Sequence, residues 1–179
     1  MRNKSIIRIA LASIAILLIP FLAMQVTSGV SWNFFDFVFM GFFLFTTGLT
    51  YELVAKKSKN ITYRVAVAAA ILAVFLLVWI NGAVGIIGSE NNSANLLYFG
   101  VIFILVIGSA IANLQAAKMA KALFITAIAQ ALVPMIALII FNPQSVSWGA
   151  NGVLGVFIVN TFFVLLFVLS ALLFLKASK

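Results

Sequence analysis

The sequence predicts an all-α fold: a polytopic transmembrane helical bundle of six spans with both termini on the cytoplasmic side. Three observations carry this expectation. Of the 179 residues, 65% are hydrophobic and only 8% are charged, where a soluble domain has about a quarter charged. The apolar residues fall into six blocks, each near the roughly 20 residues a helix needs to cross the hydrocarbon core. All 11 Lys and Arg residues lie at the chain ends or around alternate connections.

The predicted spans are 6–26, 34–55, 63–84, 94–114, 119–141 and 153–175, forming a single membrane domain over 1–179. They are apolar all round rather than striped, and only helices or closed barrels satisfy their backbones in lipid. A barrel would show strands of about ten residues with alternating polarity, and the sequence has none. Arg2, Lys4 and Arg8 open the chain. Lys56, Lys57, Lys59 and Arg64 follow the second block, Lys118 and Lys121 the fourth, and Lys176 and Lys179 the sixth. Connections 27–33, 85–93 and 142–152 contain no Lys or Arg. The positive-inside rule therefore puts the basic side in the cytoplasm. Adding or removing one span would scatter the charges, so the pattern also supports the number six. The first block, with its basic start and Ala23, imitates a cleaved signal peptide; its apolar run is long for one, and it is read as a span.

Cysteine and histidine are absent. This removes disulfides, thiolate chemistry, imidazole-held haem and the usual zinc and copper sites, and no cofactor is expected. The net charge of +8 reports topology rather than a nucleic-acid partner. The expected partners are the lipid bilayer and, beyond it, another membrane protein or a second copy of the chain.

An internal echo links the first and fifth blocks. Residues 14–23 (IAILLIPFLA) and 128–137 (IAQALVPMIA) share Ile14/Ile128, Ala15/Ala129, Leu18/Leu132, Pro20/Pro134 and Ala23/Ala137, and Val-Ser-Trp follows each, ending at Trp32 and Trp148. A duplicated hairpin and a coincidence of apolar sequence both explain this. Each proline lacks an N–H and clashes with the carbonyl four residues back, so kinks are expected at Pro20 and Pro134, freeing the carbonyls of Ile16 and Gln130.

Few side chains could carry chemistry. The acids are Asp36, Glu52 and Glu90. Asp36, in the first turn of the second span, suits the positive end of the helix dipole; it is also the first candidate for a proton or cation site near the outer boundary. Glu52 stands four residues before Lys56, the favourable order for an ion pair. Asp36 and Glu52 are about 24 Å apart along one helix, so acid–base chemistry between paired carboxylates has no support. Residues 79–98 (WINGAVGIIGSENNSANLLY) would form an outer connection with Ser93 capping the fourth span, or an oxygen-rich vestibule built from Asn81, Glu90 and Asn95. Gln130 and Asn160 lie within spans, as do Asn113, Ser109 and Thr161, and such residues most often bond helix to helix. Ala66/Ala70, Ala69/Ala73 and Gly108/Ala112 are small-residue pairs that permit close helix contact. The phenylalanines of the second span suit lipid and packing, and Trp32, Trp79 and Trp148 an outer aromatic belt.

Residues 36–52, ending in Gly48 to Glu52 (GLTYE), and 79–98, with Val84 to Glu90 (VGIIGSE), resemble a family of small bacterial inner-membrane proteins of uncharacterised role. The likeness covers the second to fifth spans and implies a bacterial inner-membrane location without any activity. Ser93 stands where that family's pattern has proline.

Three functions are compatible with the residues: a non-enzymatic scaffold or subunit, favoured by the sparse polar content; a small permease or channel for a cation, proton or small neutral solute, suggested by the kinks with Asp36, Gln130 and Asn160; and an enzyme, disfavoured because no nucleophile and base can be paired.

Overall fold

In a computed structural model, residues 3–27, 29–141, 148–149 and 152–179 are described. Among them are six α-helices and no strand: α1 (Asn3–Val26), α2 (Phe34–Ala55), α3 (Ile61–Ala83), α4 (Leu97–Ala112), α5 (Ala116–Ile140) and α6 (Gly152–Ala177). A 3-10 turn, Ser93–Leu96, leads into α4. Each helix, α4 taken with its 3-10 turn, is long and apolar enough to cross a membrane. Where the helices exceed the expected spans it is mainly at their basic ends, which makes Lys4, Lys118 and Lys176 helical as well. Helix formation is not limited to the hydrocarbon thickness, and long cationic stems reach from a helical backbone to the interface. Pro20 and Pro134 both lie inside continuous helices. Of the repeated Val-Ser-Trp, Val146 and Ser147 fall outside the described residues.

Packing divides the chain into two compact units, residues 1–56 and 57–179. The first is the α1–α2 hairpin. Gly41 lets Leu17 of α1 approach, and Gly48 does the same for Ile9; seven-residue spacing puts both glycines on one seam. The Ser5 hydroxyl donates to Glu52 Oε1 at 2.8 Å. Glu52 is therefore held across the hairpin by Ser5, where the sequence suggested Lys56 along its own helix. Phe34, Phe35, Phe39 and Phe42 point outward, as expected of lipid-facing rings.

The second unit is a four-helix bundle in which α6 packs against both α3 and α5, α4 packs on α5, and α3 barely touches α4. Ala66, Ala70 and Ala73 form the buried face of α3. This thin surface lets the Ser170 hydroxyl of α6 reach the Ala66 carbonyl at 2.8 Å. Between α4 and α5 the chain reverses through Asn113 and Leu114, both left-handed with φ of 48° and 57°. Such conformations cost about 1–2 kcal/mol each away from glycine. The Tyr63 hydroxyl of α3 donates to the Leu114 carbonyl at 2.8 Å and helps hold the turn. Asn113 thus serves as the left-handed C-cap of α4 rather than as a bond between helices.

Gly108 brings α4 onto α5: a Cβ there would stand 2.9 Å from Ala122 Cβ, whereas nothing lies within 4 Å of one on Gly100. Gly108→Val is expected to destabilise the unit by about 1–3 kcal/mol through overpacking. Gly100→Ala, in the same helix, should be neutral or mildly stabilising. Thermal unfolding in detergent distinguishes them; equal melting temperatures would remove the close α4–α5 contact as a determinant of stability.

Candidate functional site

Asn81, Asn95, Tyr98, Gln130 and Asn160 of the four-helix unit gather toward the end that bears the 84–92 connection. Asn92 starts the arrangement by accepting from the Ala94 N–H, which caps the 3-10 turn; Asn92, not Ser93, is the capping residue. The turn presents Asn95 inward, 4% exposed. Its Oδ1 accepts from the Ile86 and Ile87 N–H groups at 3.2 and 2.9 Å. Its Nδ2 donates to the Ile87 and Ser89 carbonyls at 3.2 and 2.6 Å. One side chain thereby satisfies four backbone groups of a connection whose Ile86 and Ile87 are buried. Gly85 and Gly88 permit this fold, with φ of 72° and 74°. A Cβ on Gly85 would meet the Ser89 carbonyl carbon at 2.3 Å. Asn81, in the last turn of α3, donates to the Asn95 carbonyl at 3.2 Å.

Asn95 and Tyr98 are separated by three residues, a spacing that puts them on one side of the helical path. Tyr98 is 1% exposed, and in α6 and α5 Asn160 and Gln130 are 2% and 0% exposed. Asn160 Nδ2 donates to Tyr98 Oη at 2.9 Å and to the Val156 carbonyl at 2.8 Å. Gln130 Nε2 donates to Asn160 Oδ1 at 2.9 Å. The amide orientations follow from chemistry. The Val156 carbonyl can only accept, so it faces Asn160 Nδ2; Asn160 Oδ1 then faces Gln130 and requires its Nε2. Gln130 Oε1 is left at the end of the chain of bonds. It is buried and finds no donor among the described residues, and the same is true of Asn81 Oδ1. A buried acceptor without a donor costs about 1–3 kcal/mol. Gln130 also lies four residues before Pro134, whose ring nitrogen cannot donate to the Gln130 carbonyl. Asn160 is about 12 Å along α6 from its start at Gly152, so the network occupies the half of the bundle nearer the connections 84–92 and 141–151.

The sequence candidates therefore separate. Gln130 and Asn160 are bonded to each other, and Asn81 and Asn95 are bonded to each other. Glu90 is exposed on its loop and accepts from the neighbouring Asn91 Nδ2 at 3.3 Å, so its carboxylate does not join Asn81 and Asn95 in a vestibule. Asp36, in the hairpin unit, completes a capping box: its Oδ2 accepts from the Asn33 N–H at 2.7 Å while Asn33 Oδ1 accepts from the Phe35 and Asp36 N–H groups. A first-turn carboxylate was expected to suit the helix dipole; the capping box with Asn33 adds a direct bond to that role. Pro20 sits in the hairpin unit on α1, the helix that also carries Ile16.

Sequence reasoning missed Tyr98 and Ser170. Tyr98 reads as one more interfacial aromatic, and only its placement three residues after Asn95 hints otherwise. Ser170 stands alone in an apolar helix and carries no local signal. Thr161 and Thr126 are the converse: each donates within its own helix, to Phe157 and Ala122, the common fate of a helical threonine.

Six helices long and apolar enough to cross a membrane, four of which enclose a polar network, define a multi-pass α-helical membrane protein. Comparison of the chain with known protein families, with curated proteins and with solved structures found no match.

Proposed function

We propose that the chain is a non-enzymatic component of a bacterial inner membrane, a scaffold or subunit with both termini in the cytoplasm. The observation that carries this reading is how the polar groups are used. Asn95 ties down a connection, Ser170 and Tyr63 bond α6 and α3 to neighbouring backbone, Asp36 caps a helix, and Glu52 closes a hairpin. Polar side chains committed to the fold suit firmly packed helical units that present apolar helix faces to lipid or to a partner helix. The grouping of every basic residue around alternate connections supports the orientation, and the resemblance noted for residues 36–52 and 79–98 supports the bacterial inner membrane.

A permease for a small solute is the second reading, favoured by the unpartnered Gln130 Oε1 in the core. Purified protein in proteoliposomes separates the two. Sodium, proton and glycerol fluxes no greater than those of protein-free vesicles support the scaffold; a protein-dependent flux replaces it with the permease. The orientation is tested by single cysteines at Ser58 and Ser89 in a chain that has none of its own. An impermeant maleimide outside intact cells should label Ser89→Cys only, and labelling of Ser58→Cys would reverse the topology.

A further inference from the structure

We infer that the Gln130 end of the polar network is a binding site for one small neutral hydrogen-bond donor, water or a molecule of its size, admitted by bending of α5 at Pro134. Two observations converge on Gln130. Its side-chain Oε1 is buried with no donor among the described residues, and its main-chain carbonyl faces a proline where an amide N–H would otherwise stand. One residue thus offers two acceptors in an apolar core, and both call for the same kind of ligand, a donor. The other end of the polar file repeats the pattern, because Asn81 Oδ1 is also a buried acceptor without a donor among the described residues. Between them run Asn95, Tyr98 and Asn160, so hydrogen-bonding groups are spaced from the connection 84–92 inward to Gln130.

Charge decides the class of ligand. The helices α3, α4, α5 and α6 contain no Asp or Glu, and Glu90, the acid of this unit, is exposed on its loop. A cation at Gln130 would face neutral amide oxygens with no counter-charge, an arrangement that hydrocarbon surroundings strongly oppose. A neutral donor meets no such penalty, and buried water commonly bridges polar groups of this kind. Packing decides how it enters. Gln130 Oε1 and Pro134 are closed off from solvent, so the occupant arrives only when the helices part. The hinge is supplied where it is needed, since proline removes the hydrogen bond that would stiffen α5 across residues 130–134. This site is independent of the scaffold reading: a rigid subunit and a permease can each contain it.

The test is magnetic-resonance transfer from water to the Gln130 side-chain amide in full-length protein in lipid nanodiscs, with nitrogen-15 glutamine and leucine. Four glutamines occur in the chain, and Gln130→Glu identifies the signal. Transfer to Gln130 Nε2 is expected, with none to the backbone amide of the buried Leu77. Its absence would overturn the site. Pro134→Ala restores a donor for the carbonyl and should reduce transfer about tenfold while the protein remains folded; unchanged transfer would overturn the hinge. Replacing choline by sodium should leave the Gln130 signal in place, and a sodium-dependent shift would replace the neutral ligand by a cation. These outcomes are separate from the flux assay, which tests the scaffold reading alone.

Discussion

Asn95→Ala is expected to be among the most damaging single substitutions, lowering the stability of the four-helix unit by about 2–4 kcal/mol. The wild-type side chain accepts from two backbone N–H groups and donates to two carbonyls. Each such bond is worth about 0.5–1.5 kcal/mol net, and a buried group left without its partner costs more. The sum is reduced because Ser89 is exposed and its carbonyl can turn to water. Asn95→Asp is a sharper control: it keeps the acceptor for Ile86 and Ile87 but sets a carboxylate against the Ile87 and Ser89 carbonyls, so it should not rescue the loss. Hydrogen exchange reads the effect directly. Protection of the Ile86 and Ile87 amides should fall by orders of magnitude in Asn95→Ala, and undiminished protection would show that something else holds the connection.

Asn160→Leu should cost about 3 kcal/mol, for a different reason. Asn160 is the central member of its network, and its removal takes from Gln130 Nε2 its acceptor in the core, in addition to the Oε1 that has no donor among the described residues. Gln130→Leu alone should also destabilise, because it deprives Asn160 Oδ1. The double substitution removes both polar groups together, so its cost should be smaller than the sum of the two singles by about 0.5–3 kcal/mol. Reversible unfolding in mixed micelles measures the cycle. Additive losses would mean that the 2.9 Å contact between the amides contributes nothing of its own.

These two sites also show what a sequence exposes and what it hides. The six helices were legible because hydrophobic length is a local property, countable in a window, and because lipid enforces regular backbone within it. The suitability of Asp36 for the positive end of its helix was legible for the same reason, since it needs only that helix end; the caps themselves were not, as Asn92 rather than Ser93 caps the 3-10 turn. Asn81, Asn95, Gln130 and Asn160 could be singled out as rare polar groups among apolar ones, yet their pairing could not. The pairing of Gln130 with Asn160 depends on α6 lying between α3 and α5, an order set by shape at small-residue faces such as Ala66 and Ala70, and that of Asn81 with Asn95 on how the connection 84–92 folds back. Tyr98 and Ser170 are the extreme case, since each acquires meaning only from a residue 62 or 104 positions away. The Glu52 expectation failed in the opposite direction. A local rule offered Lys56, and a hydroxyl from the neighbouring helix was placed better.

The bond from Ser170 to Ala66 also sets a schedule for biosynthesis. α3 barely touches α4, the helix that follows it in the chain, and packs instead on α6, made after α4 and α5. A chain grows at about 5–20 residues per second, and 104 residues separate the two bonded groups. The alanine face of α3 therefore spends about 5–20 s in the membrane before its permanent neighbour exists. During that interval lipid, or the insertion machinery itself, is what it can lean on. The four-helix unit closes as a late event, after α6 has entered the bilayer.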